Sequence, residues 1–332
     1  LMPASTIHRF LKWQKDTNKF QVNEYHKSKA EVIILDEASM VDTLLMASLL
    51  RGISANCKVI MVGDSYQLPS VGPGQVLHDV IESGVLPVVT LKELYRQGKD
   101  SNILTLAYDV RNGNVEEDVF NQDDDLTFID CQDNDVISNL MDVCSTFKDL
   151  SYKNFQVLAP MYKTRHGIDV INQELQKIFN PKDKSKKELV VGEVVFREGD
   201  KVIELSNMPE ENIYNGDIGI ISQISVQPSK KITIDFDGNE VVFTAANFNK
   251  FRLAYAISIH KSQGSEFDVV VMPIVKGYRK MLYRRLVYTG ITRSKKMLYI
   301  IGDIGALHQA VRNISSDIRR TTIQDFLENG IK

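Results

Sequence analysis

The stretch Val32–Met40, VIILDEASM, runs four apolar residues into Asp36 and Glu37 and then into small residues. A carboxylate at the carboxyl end of a buried parallel strand faces the crevice where open α/β sheets bind ligands. There Asp36 could hold Mg2+, mostly through water, because that ion keeps much of its hydration shell. Glu37 could orient or deprotonate an attacking water. Phosphoanhydride hydrolysis needs this division of labour, since its catalysis is mostly positioning and charge neutralisation. For the stretch alone, a strand that ends in a polar turn is the alternative. A second apolar run ends in GDSYQLPSVGPG, residues 63–74. Gly63 frees the backbone there, and Gln67 could touch both a γ-phosphate and the catalytic water; a Gly/Pro turn is the alternative. Arg96, in LYRQ, could reach a phosphate or lie on the surface. Farther on, SIHKSQGSEFDVVV offers Gly264 for a close approach and Glu266 as an acceptor for a ribose hydroxyl. RRLVYTGITRSKK offers Arg293 as a cation on the transferring phosphoryl group. Singly, Glu266 could cap a strand and Arg293 could sit at a helix end. Together and in this order they point to one nucleotide-hydrolysing site.

These residues need a scaffold of buried strands. Five near-continuous apolar runs, EVIILDE, KVIMVGD, FQVLAPM, FDVVVMPI and MLYIIGD, each close on a small, acidic or Pro residue. Strands buried on both faces of a parallel sheet read this way. Helical stretches lie between several of them, such as Val41–Leu50 and Arg165–Phe179, which argues for an α/β class. The runs fall into two groups, so two α/β domains are expected, joined through the acidic stretch Asn114–Asp125. Residues 191–250 break the alternation. They read as strands without a helical period, with Asp237–Gly238 as a hairpin turn, and predict a small all-β insertion in the second domain. Lys182–Lys187 reads as an exposed basic loop.

At 332 residues the chain is long enough for two or three domains, and 43% hydrophobic with 25% charged residues is the balance of a globular protein. No apolar run approaches a membrane span, so a membrane role is not expected. Cys57, Cys131 and Cys144 have neither metal nor disulfide spacing; free thiols in a reducing cytoplasm are the expectation. A net charge of -3 means that any nucleic-acid surface must be local.

LDEASM, GDSYQLPSVGPG, LYRQ, IHKSQGSEF and VYTGITRSK resemble motifs II, III, IV, V and VI of superfamily 1 helicases. The long forms of motifs III and V are similar to the RecD-like branch, the exodeoxyribonuclease V alpha subunits and their stand-alone relatives. The resemblance covers nearly all of the chain. It implies two RecA-like parallel-sheet domains that bind ATP and Mg2+ between them, with single-stranded DNA across them. It places domain 1A at 1–130, domain 2A at 131–190 and 251–332, and an SH3-like β-barrel, 2B, at 191–250. Trp13–Ser28 stands where the branch carries a duplex-splitting pin. By resemblance, Thr6, His8 and His260 line the strand channel, and Glu37, Gln67, Arg96 and Arg293 serve catalysis. Asp36, Gly264 and Glu266 serve nucleotide and metal. The implied activity is ATP-dependent unwinding of DNA, typically 5′ to 3′, on single strands and duplex junctions, with nuclease or repair subunits as expected partners. A non-catalytic nucleic-acid-binding module and a phosphate-loop ATPase acting on RNA or protein are the rivals. One departure matters. The branch carries a phosphate loop, GxxxxGK[ST], before LDEASM, and no such segment occurs in the chain. MYKTRHG has the Lys and Thr but not the glycines. The expectation is therefore a first domain truncated after that loop, with LMPASTIHRFL as the motif Ia region.

Overall fold

A parallel pair of strands in the first half and a five-stranded parallel sheet in the second organise the computed structural model, which describes residues 4–14, 16–91, 101–120, 125–314 and 319–330. Contacts divide the chain into two units, Leu1–Glu93 with Ser315–Lys332, and Leu94–Ile314.

The first unit opens with helix α1 (Ile7–Phe10), capped by the Thr6 side chain, and the short hairpin β1 (Trp13–Gln14) and β2 (Lys19–Phe20). Strand β3 (Val32–Leu35), helix α2 (Thr43–Gly52), strand β4 (Lys58–Met61) and helix α3 (Val76–Glu82) follow. Asp42 starts α2 by accepting the Leu45 N–H at 2.7 Å, which satisfies one of the free donors of the first turn. Helical spacing then turns Met46 and Leu49 into the core, with Ile33 and Leu35 of β3 and Val59 and Met61 of β4. Alternation sends the other residues of the pair outward. Val32, Ile34 and Ile60 are each at least half exposed. The expectation of burial on both faces thus fails for β3 and β4, because their packed core, with residues of α2 and α3, lies on one face of the pair and the alternate residues stay exposed.

The second unit begins earlier than the expected boundary near residue 130. Helix α4 (Asn102–Asn112) packs on the later helix α7, and strand β5 (Leu126–Asp130) joins the second sheet. Next come α5 (Val136–Ser145), β6 (Phe155–Ala159) and α6 (Ile168–Phe179). The β-rich stretch holds β7 (Glu188–Val191), β8 (Val194–Arg197), β9 (Lys201–Glu204), β10 (Ile218–Ser225), β11 (Lys231–Phe236), β12 (Asn239–Thr244) and β13 (Phe251–Leu253). The unit closes with β14 (Ala256–Ser258), β15 (Phe267–Ile274), α7 (Arg284–Ile291), β16 (Ser294–Gly302) and α8 (Ile304–Arg312). The parallel sheet runs β14-β6-β15-β16-β5. The three expected strands are its centre, and β6 is buried at every residue, as a strand covered on both faces must be.

The insertion is an antiparallel sheet of order β12-β11-β10-β9-β13, which ends on β12 and β13, preceded by the β7–β8 hairpin. Two short 3-10 turns, Pro209–Glu211 and Phe248–Lys250, interrupt it. Asp237 and Gly238, at φ 55° and 89°, make the β11–β12 turn that the Asp-Gly pair predicts. Two sets of bonds fix this sheet to the parallel one. Asp237 at the turn pairs with Lys153 at 2.5 Å and accepts the Tyr152 hydroxyl at 3.0 Å. At the base, the fully buried Lys201 ammonium donates to Tyr152 O, Phe155 O and Gln156 Oε1 at 2.7, 3.0 and 2.8 Å.

Helix α9 (Ile323–Asn329) belongs to the first unit, not to the second as expected for residues up to 332. Its Ile323 and Leu327, one helical turn apart, cover the core beside α3.

Candidate active site

The first unit brings Asp36, Glu37 and Gln67 to the carboxyl ends of its two parallel strands. Val62 N donates to Leu35 O at 2.8 Å and Ala38 N donates to Val62 O at 2.9 Å, so the two exits are tied together. Gly63 makes that approach possible. A Cβ there would lie 3.0 Å from Ala38 N and 3.2 Å from Ser39 N. Asp36 is exposed, and its Oδ1 accepts the Glu37 N–H at 2.9 Å. Glu37 adopts the left-handed conformation, φ 51° and ψ 40°. A non-glycine residue there carries backbone strain, and such strain gathers at functional sites. The neighbouring loop holds its own shape. Asp64 Oδ1 accepts Tyr66 N at 2.9 Å, and Asp64 Oδ2 accepts Gln67 Nε2 at 3.3 Å. Gln67 therefore presents its amide oxygen. Gln67 Oε1 and Ser39 Oγ are both buried without a hydrogen-bond partner among the described residues. Sequence reasoning did not single out Ser39, because a small residue after two acids reads as turn.

These orphaned atoms and the paired acids fit the metal and terminal-phosphate end of a nucleotide. The donors for the remaining phosphates, a glycine-rich loop with its Lys and Ser/Thr, are not in the sequence. Arg96 lies outside the described residues. Thr6 caps α1, its hydroxyl accepting Arg9 N at 3.2 Å. His8 is exposed and its ring meets Trp13 and Phe20, centroids 6.1 and 5.7 Å apart, at the base of the short hairpin.

The second unit assembles the other motif residues. Arg293 follows α7 and is buried. Its guanidinium donates to Thr289 O at 3.1 Å, Ser265 O at 3.1 Å and Thr292 Oγ1 at 3.2 Å. Ser265 stands between Gly264 and Glu266, so Arg293, Gly264 and Glu266 share one neighbourhood. Gly264 turns there at φ 76°, with open space where a side chain would stand. His260 sits in a 3-10 turn after β14, and burial pushes its imidazole below the usual histidine range. Its neighbour Lys261, also lowered by burial, donates to Asn215 Oδ1 of the β-insertion at 2.6 Å. Nothing in the sequence ties positions 46 residues apart, so this link was not legible. Of the basic stretch 278–296, Tyr278 is core, while Lys295 and Lys296 pair with Asp268. Among the described residues no helix is long and apolar enough to cross a membrane.

Three family models match. An AAA domain covers residues 2–134, the SH3 domain of ATP-dependent RecD-like DNA helicases covers 171–236, and a UvrD-like helicase C-terminal domain covers 253–301. The chain is 31% identical to the ATP-dependent RecD2 DNA helicase of Deinococcus radiodurans over 304 residues, 91% of this chain and 40% of that protein. It is 26% identical to the RecBCD enzyme subunit RecD of Buchnera aphidicola subsp. Acyrthosiphon pisum, over 90% of this chain and 58% of that protein. It spans about half the length of these curated relatives. Among solved structures, two Pif1 helicases share the fold. One, on DNA unwinding at forked double-stranded DNA, has a TM-score of 0.56 at 18% identity and covers 97% of this chain and 81% of its own. The other, Bacteroides Pif1 bound to single-stranded DNA, has a TM-score of 0.54 at 17% identity, with 97% and 82% covered. The SH3-type match on the insertion, between the two motor-type matches, is the RecD-like arrangement, and the chain belongs to the RecD-like branch of the superfamily 1 helicases.

Proposed function

We propose that this chain is the motor core of an ATP-dependent DNA helicase that moves 5′ to 3′ on single-stranded DNA and unwinds duplex at junctions. The observation that supports it most is the joined exit of β3 and β4, with Asp36 and Glu37 at the end of β3 and Gln67, its amide oxygen buried without a partner among the described residues, in the loop after β4. Bound Mg2+ would supply charge neutralisation on the phosphate oxygens of ATP. Asp36 would hold it through water, and Glu37 would take the proton of the attacking water. Gln67 would touch that water and the terminal phosphate. Arg293 and Arg96 are the cations assigned to the phosphates, Gly264 and Glu266 the residues assigned to the nucleotide, and Thr6, His8 and His260 those assigned to the DNA strand. Domains 1A, 2A and 2B take the first unit, the second parallel sheet and the β-insertion. DNA is the substrate in this reading because the similar RecD2 protein is an ATP-dependent DNA helicase and residues 171–236 match the SH3 domain of RecD-like DNA helicases. By the same likeness, nuclease or repair subunits are the partners and the cytoplasm is the place of action. The test is unwinding of 5′-tailed and 3′-tailed duplexes by the natural full-length protein with ATP and Mg2+. Unwinding of the 5′-tailed substrate alone is expected. No ATP-dependent strand separation on either substrate would refute the proposal.

A further inference from the structure

The loop that carries Gln67 is gripped from a part of the chain nearly 250 residues away. Arg319 Nη1 donates to Gly72 O and Gly74 O, both at 2.7 Å, and Arg319 Nη2 donates to Ser70 O at 2.7 Å. Three carbonyls of PSVGPG therefore converge on one guanidinium. The other side of the loop lies on the start of α2. A Cβ on Gly72 would overlap the Asp42 carboxylate, and one on Gly74, at φ 96°, would overlap the Thr43 hydroxyl. Thr43 N also donates to Pro73 O at 3.0 Å. The segment that brings Arg319 is itself fastened. Thr321 Oγ1 donates to the buried Asp79 at 2.7 Å, and Asp79 also accepts Gln75 Nε2 at 3.1 Å. Beyond it, α9 lays Ile323 and Leu327 on the core.

We infer that Arg319 is a positioning residue of the hydrolysis site, and that residues 319–329 are a strap setting the loop of Gln67 against α2. The inference rests on the proposed function. Its physical basis is that a glycine-rich loop is cheap to displace, and a change in position of about 1 Å at a reacting centre can cost on the order of a hundredfold in rate. A planar cation with several donors suits three carbonyls at once; an ammonium supplies the charge but not the span. Arg319 touches neither phosphate nor water in this role. It acts through Ser70, Gly72 and Gly74 on Gln67.

The test compares wild type, Arg319→Ala and Arg319→Lys by hydrogen–deuterium exchange of this chain and by ATP hydrolysis of the natural full-length protein. In Arg319→Ala, amides of 63–75 should exchange about tenfold faster while those of β3 and β4 keep their protection. ATP turnover should fall about tenfold in kcat with KM for ATP changed less than about twofold, and Arg319→Lys should recover part of both. Unchanged exchange of 63–75 in Arg319→Ala would overturn the inference. So would a uniform rise across the whole first unit, which would make the strap a general stabiliser. So would a loosened loop with wild-type kcat. Absence of ATP hydrolysis in the wild type would be the failure of the proposed function, while the exchange data would still judge the grip itself.

Discussion

Glu37 combines three properties that a turn residue does not need together: a carboxylate, a left-handed backbone, and a place at the exit of a parallel strand. As the proposed base it predicts a specific failure. Glu37→Gln in the natural full-length protein keeps nucleotide affinity and loses about a hundredfold or more of kcat, because the amide keeps the shape but takes no proton. Equilibrium nucleotide binding beside steady-state turnover checks this, and equal turnover removes Glu37 from the mechanism. Arg293 predicts a different pattern. Its guanidinium reaches three acceptors in its own unit, among them Ser265 O between Gly264 and Glu266. Arg293→Lys is therefore expected to lower the melting temperature as well as turnover, since an ammonium cannot satisfy the three together. A variant with reduced turnover and wild-type melting would show that its role is purely chemical.

The attachment of the β-insertion depends on Lys201 of β9, whose burial pushes its amine down to about 7. In the unfolded chain the same amine holds its proton up to about pH 10.4. Between those values the unfolded state binds more protons, so this group makes stability rise with pH, by at most about 1.4 kcal/mol per pH unit. Below pH 7 both states are protonated, and the cost of burying the charge is present in full. Lys201→Met removes the titration and leaves Tyr152 O, Phe155 O and Gln156 Oε1 without that donor. It is expected to destabilise by about 2–3 kcal/mol near pH 10, where most of the proton-release cost has gone and the neutral wild-type amine still offers two N–H donors to these acceptors. Denaturant melts of both proteins from pH 7 to 10 test this. A stability difference that does not change with pH would mean that Lys201 does not titrate in that window.

For the chain as a whole, the decisive fact is the missing GxxxxGK[ST]. Without a phosphate-binding helix start and its Lys, a triphosphate meets only part of the charge it needs. The 332-residue chain by itself is expected to show no DNA-stimulated ATP turnover above a matched blank. Single-stranded DNA binding draws on phosphate contacts rather than on that loop. It is expected to persist and to weaken steeply with salt, log K falling about 0.7 per phosphate contact for each unit of log salt. Turnover assays and fluorescence anisotropy over a salt series on the same preparation decide both halves. Robust turnover would reveal a phosphate-binding element elsewhere in the chain.

The strands that carry the site were legible in the sequence because their code is local. Four or five apolar residues closed by an acid or Gly mark a strand exit wherever they occur, and Asp36, Glu37 and Gln67 lie at two such exits. The Asp237–Gly238 turn was legible for the same reason, as its positive φ is a property of two residues. Strands β5 and β14 were not, since a short edge strand is made by the partner it pairs with rather than by its own pattern. The unit boundary also depended on packing. Helix α4 and strand β5 look like a continuation of the first domain, but α4 packs on α7 and β5 completes the second sheet. Tertiary structure alone decided the roles of Lys201, Lys261 and Arg319. None of the three stands in a motif that marks its role, and the meaning of each lies in carbonyls or amides 45 to 249 residues away. No periodicity records such a pairing, because a single long-range hydrogen bond leaves no repeat in the chain.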